Sequence, residues 1–119
     1  MPAKKSNGYS SDMLMKITGL ISQLSDNELD ARRHAVEGLS AIGYDVLKPL
    51  TSAMIADPNS LPLRNGAHHI LHHISEDGYY NLLKPLMQAI EGAIPNVEVP
   101  AAARKLQAEL AKSEAEWRK

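Results

Sequence analysis

Four of the five histidines crowd into one string, His68-His69-Ile70-Leu71-His72-His73. Residues four apart on a helix stand one above the other, so His68 pairs with His72 and His69 with His73. A carboxylate follows each pair one turn on, Glu76 after His72 and Asp77 after His73. Two imidazoles and a carboxylate are the donor set of non-haem iron centres, and an i, i+4 histidine pair also suits zinc. A metal site draws ligands from more than one element, so a site built on His68, His69, His72 and His73 is expected to need His34 or a second chain. Without metal, clustered imidazoles titrate near neutrality and repel one another when charged, which makes a pH-sensitive flank. No Gly-rich phosphate loop, nucleophile elbow or acid pair accompanies them. No catalytic residue and no cofactor is therefore assigned, and the reading leans away from an enzyme.

The helix that must carry these residues is one of about six that apolar spacing predicts. The first runs from a cap at Ser11 or Asp12 through Leu24, with Leu14, Ile17, Leu20, Ile21 and Leu24 on one face. Ser25-Asp26-Asn27 breaks it. The second covers about Glu28 to Ile42, with Leu29, Ala35, Leu39 and Ile42 inward and Gly43 as its stop. Asp45 is placed to cap the third, whose stripe is Val46, Leu47, Leu50, Ala53 and Met54, and Asp57-Pro58-Asn59 ends it. The histidine helix spans about Leu61 to Glu76, capped by Asn59 or Ser60, with Ala67, Ile70, Leu71 and Ile74 inward. A fifth runs from roughly Asn81 to Ala93, closed by Pro95 and Asn96, and a sixth from about Val99 to Trp117. No segment sustains the period-two alternation of a strand, so the fold class is all-α. Residues 1–10 are polar and aperiodic and read as a disordered arm; 11–119 reads as one domain.

Two of these helices are copies of two others. Arg32, Ala35, Leu39 and Ile42 match Arg64, Ala67, Leu71 and Ile74 at an offset of 32. Val46-Leu47-Lys48-Pro49-Leu50 matches Leu82-Leu83-Lys84-Pro85-Leu86 at an offset of 36, the difference being an insertion around Ser75–Tyr80. Self-similarity at this period means stacked helical hairpins that bury one another's apolar faces. Arg32 and Arg64 are expected to pair with carboxylates, Asp30, Asp57 and Asp77 being within reach. The pattern of Asp30, Arg32, Ala35, Leu39, Ile42, Gly43, Pro49 and Leu50, with its second copy, resembles HEAT repeats, including the short HEAT-like type named after phycobilisome lyases. That resemblance implies a right-handed α-α superhelix in which the first helix ends a preceding unit and the sixth begins a following one. For function it implies a protein-binding scaffold, or a bilin lyase-type subunit. HEAT-repeat deoxyhypusine hydroxylases hold di-iron through His-Glu dipeptides, and this chain has no such dipeptide.

Composition narrows the partners. Net charge is −1 with both signs interspersed, which is not the basic footprint of a nucleic-acid binder or a polybasic membrane surface. No apolar run reaches the length of a membrane span, and no signal peptide is seen. The absence of cysteine fits a reducing, cytoplasmic setting. The expected partner is therefore a protein, bound on the concave face that second helices line in such stacks. Its outward residues are Lys48, Ser52 and Ile55 on the third helix and Lys84, Gln88 and Glu91 on the fifth. Tyr79 and Tyr80, in the insertion, offer a second contact. The apolar first helix, with Met13, Leu14 and Met15, leaves an uncapped end that favours a homodimer.

Overall fold

The computed structural model describes residues 11–117, with side chains to residue 113, and no strand occurs among them. The arm expected over residues 1–10 lies outside the described residues. In order, the elements are α1 (Ser11–Gln23), α2 (Leu29–Ile42), α3 (Leu47–Ala56), α4 (Leu61–Ile74), α5 (Tyr80–Glu91) and α6 (Pro95–Trp117). A 3₁₀ turn, Gly43–Val46, joins α2 to α3 without a gap, and a π turn, Ser75–Tyr79, joins α4 to α5. The described chain is thus four unbroken helical stretches, two of them folded into hairpins, rather than six separated rods. Each fold falls at a glycine with positive φ, 84° at Gly43 and 104° at Gly78, a conformation that a Cβ makes costly.

Local chemistry sets the ends. Ser60 caps α4 through the Leu63 N–H, which donates to its Oγ at 3.3 Å, and Pro62 occupies the first turn. Asp26 Oδ1 accepts the Glu28 N–H at 2.8 Å and turns the chain into α2. Asp45, expected to cap the third helix, makes no cap; it lies half-buried in the 3₁₀ turn, and burial raises its pKa. The Pro95–Asn96 pair, expected to close the fifth helix, instead opens α6, since proline's fixed φ suits the first helical turn.

The core is one aliphatic cluster, with Leu39, Leu50, Ile70, Leu71, Ile74 and Leu83 fully buried. Each such side chain stabilises the fold by about 1.5–3 kcal/mol. α1 packs on α2 and α3, α2 on α4, and α4 on α5. The two arginines of the repeat act alike, though not on carboxylates. Arg32 Nη1 donates to the Asp26 carbonyl and Arg64 Nη1 to the Pro58 carbonyl, each at 2.7 Å and each six residues back. A guanidinium fork thus ties the loop before α2 and the loop before α4 in the same way.

Two further expectations change. Leu29 is 51% exposed rather than inward, and its repeat mate Leu61 is 57% exposed. At about 100° per residue Leu29 stands about 80° away from Leu39, off the buried stripe. The second change concerns α6. It packs along both α3 and α5, which barely touch each other, and so fills the seam between them rather than starting a further hairpin on α4. Burial on α3 follows: Thr51, which faces α6, is fully buried, while Ala53 is only half-buried. No helix among the described residues is long and apolar enough to cross a membrane.

Candidate functional site

His68 and His72 sit one turn apart on α4, held by the burial of Ala67, Ile70, Leu71 and Ile74 on the adjoining face. The hairpin at Gly78 returns α5 antiparallel to α4, and the burial of Leu83, Leu86, Met87 and Ala89 fixes its rotation. The last residue of α5, Glu91, then arrives beside the two imidazoles. Its Oε2 lies 2.6 Å from His68 Nε2 and 3.8 Å from His72 Nε2. The rings meet edge to face, with centroids 4.4 Å apart. A carboxylate can only accept, so His68 Nε2–H donates to it. That bond, with the lesser field of both imidazoles, lowers the Glu91 pKa and keeps the carboxylate ionised well below neutral pH.

The ligand atoms of His68, His72 and Glu91 all lie within 4.8 Å of one another, and no other group of three metal-capable side chains among the described residues does so. The structure therefore keeps half of the sequence-level cluster. His69 and His73 are exposed and do not join the trio. The carboxylate comes from α5 rather than from Glu76 or Asp77, and neither His34 nor a second chain is needed to bring in a second element. Glu91 was visible in the sequence only as an outward position on the fifth helix.

The proposed docking residues divide. Ser52 Oγ accepts from Gln107 Nε2 of α6 at 2.8 Å, and the Lys48 carbonyl accepts from it at 3.3 Å. The same amide nitrogen donates to Thr51 Oγ1 at 2.9 Å. Ile55 is half-buried against the core. This face of α3 is thus engaged with α6, a role for Gln107 that no spacing argument flagged. Lys84 and Gln88 are exposed, and Lys84 Nζ stands 5.9 Å over the Tyr80 ring. Tyr79 stacks obliquely on Tyr44 with centroids 5.1 Å apart and packs on the core, while Tyr80 is 52% exposed.

Between them, α2 and α4 line a groove of about 670 Å³. Its walls include Leu24, Leu29, Val36, Leu61 and Pro62, and Arg33 and Glu37 stand at its rim. The sequence held the signal, leucines at matching repeat positions, but Leu29 read as core because leucine usually is. No family model, curated protein or solved structure matches the chain.

Proposed function

We propose that this chain is a small, non-catalytic adaptor of the HEAT-like type, acting in a reducing, cytoplasmic setting, that docks an amphipathic helix of a protein partner into the α2–α4 groove. In this reading α2–α3 and α4–α5 are successive hairpins of a short right-handed superhelix, and α6 closes the inner face. The matched offset of the two arginine-to-carbonyl bonds supports the repeat. The exposed pair Leu29 and Leu61 carries the docking proposal. Two leucines more than half exposed, at equivalent positions along one apolar groove, are the pattern that receives an apolar helix face. Arg33 is exposed at the rim, and Arg32 is already bound to the Asp26 carbonyl, so the partner's flank should be acidic beside Arg33. With α6 filling the α3–α5 seam, the groove takes over the docking role expected of the inner face.

The test is a photo-crosslinking residue placed at position 29 or 61 in the cell of origin, with one at position 109 on α6 as control. The reading expects a single heterologous partner, crosslinked from 29 and 61 and not from 109, and lost when the other leucine becomes aspartate. Crosslinks only to a second copy of the chain would make the groove a self-association face and overturn it. So would crosslinks from all three positions alike.

A further inference from the structure

We propose that His68, His72 and Glu91 form a divalent-cation site of the zinc class, which bridges α4 to α5 and leaves a fourth coordination position open to solvent. The strongest support is an internal control. In the sister hairpin the repeat places Val36, Ser40 and Ile55 where this hairpin has His68, His72 and Glu91. The matching positions of the α2–α3 unit thus carry none of the three donors. All three replacements occur together, and they fall on two different helices. The His68–Glu91 hydrogen bond accounts for two of them; a shared ligand accounts for all three, since His72 Nε2 stands 3.8 Å from the same oxygen.

The geometry is close to that of a bound ion. Zinc takes imidazole nitrogen and carboxylate oxygen at about 2.0–2.2 Å, so donors in a tetrahedral site stand about 3.4 Å apart. His72 Nε2 and Glu91 Oε2 are already 3.8 Å apart. His68 Nε2 and Glu91 Oε2, at 2.6 Å, share a proton that an ion would replace, and they need to part by less than an ångström. The side chains are 29% exposed for His68, 52% for His72 and 53% for Glu91, so the donors are reachable without unfolding. No lysine or arginine forms an ion pair with Glu91 among the described residues, so an incoming cation displaces no fixed charge. Two imidazoles and one carboxylate with an open position suit zinc, with cobalt and nickel as chemical relatives; calcium and magnesium prefer all-oxygen sites.

Zinc chloride titrated calorimetrically into the untagged protein tests this. One ion per chain is expected. Glu91→Ile and His72→Ser import the residues at the matching positions of the α2–α3 unit, and circular dichroism checks that the fold tolerates them. Each should weaken binding by about 100-fold or more, the upper end of what losing even an outer-shell partner costs. His69→Ala with His73→Ala should leave the affinity within about two-fold. Zinc should also raise the melting temperature of the parent protein and not that of Glu91→Ile. No saturable binding at millimolar zinc overturns the proposal. Binding that survives Glu91→Ile and disappears in the His69/His73 variant also overturns it, since that is adventitious binding by an exposed histidine pair.

Discussion

Three helical glycines form a ruler for the α1 packing. A Cβ built at Gly19 in α1 would meet nothing within 4 Å. At Gly38 in α2 it would lie 3.1 Å from Leu20 Cδ1, and at Gly66 in α4 it would lie 2.8 Å from Leu24 Cδ2. Alanine in a helix interior is favoured over glycine by about 1 kcal/mol. Gly19→Ala should realise that gain, which for a domain of this size raises the melting temperature by about 4 °C. At Gly66 the same gain meets an overlap with Leu24, a leucine only 1% exposed, whose Cδ2 must shift to make room. Overpacking of that kind costs about 1–3 kcal/mol, so Gly66→Ala should come out between neutral and about 2 kcal/mol destabilising. Gly38→Ala belongs between them, because Leu20 at the edge of the core can yield a few tenths of an ångström. Urea unfolding followed by far-ultraviolet circular dichroism orders the three. If Gly66→Ala stabilises as much as Gly19→Ala, Leu24 is not seated on α4 and the placement of the first helix is wrong.

Other perturbations probe other joints. Asp45 has its pKa raised by burial, so the folded state disfavours its ionised form. Stability is then lost as pH rises from the ordinary value of 3.8 through the raised one, and the penalty is fully present at neutrality. Asp45→Asn should raise the melting temperature at pH 7 and change nothing below about pH 3, where both forms are neutral; an equal shift at both pH values refutes the cause given. Arg64→Met should cost about 1 kcal/mol and Arg32→Met less, because the Arg64 bond to Pro58 is half-buried and the Arg32 bond to Asp26 is exposed. Denaturant midpoints decide the order, and the reverse order would count against the shared role. Gln107→Ala removes the donor to Lys48, Thr51 and Ser52 at a cost of about 1 kcal/mol. Hydrogen exchange should quicken in α6 before α4; equal quickening in both would mean that the amide does not tether α6.

The buried stripe of α4 and the helix end at Gly43 were legible, because each rests on local spacing or on a residue with one backbone use. Ala67, Ile70, Leu71 and Ile74 are buried as their period requires. What was not legible depends on contacts between helices distant in sequence. α6 has weak amphipathic patterning, so nothing along the chain shows that it lies in the α3–α5 seam, and with it went Thr51 and Gln107. Glu91 is far in sequence from the histidines, and only the antiparallel return of α5 brings it to them. The arginines were read as ion-pair formers because their charge is visible in a sequence and a loop carbonyl's position is not.

The two candidate surfaces meet on one helix. Asn65 and His69 border the α2–α4 groove, and both also line the hollow beside His68 and Glu91. α4 is therefore the shared wall, with the groove on one flank and the histidine–carboxylate trio on the other. An ion held by Glu91 and the two imidazoles would act on the same helix that carries Leu61 at the groove. If the ion changes the partner's affinity, the partner must change the ion's by the same factor. His69 separates the routes by which such coupling can run, since it borders the groove but is not a ligand. Coupling that persists in His69→Ala travels through the body of α4; coupling that disappears there ran through the imidazole at the border. The sister helix has Glu37 at that position and no donors at Val36 and Ser40. The donors His68, His72 and Glu91 thus belong to one of the two matching units alone.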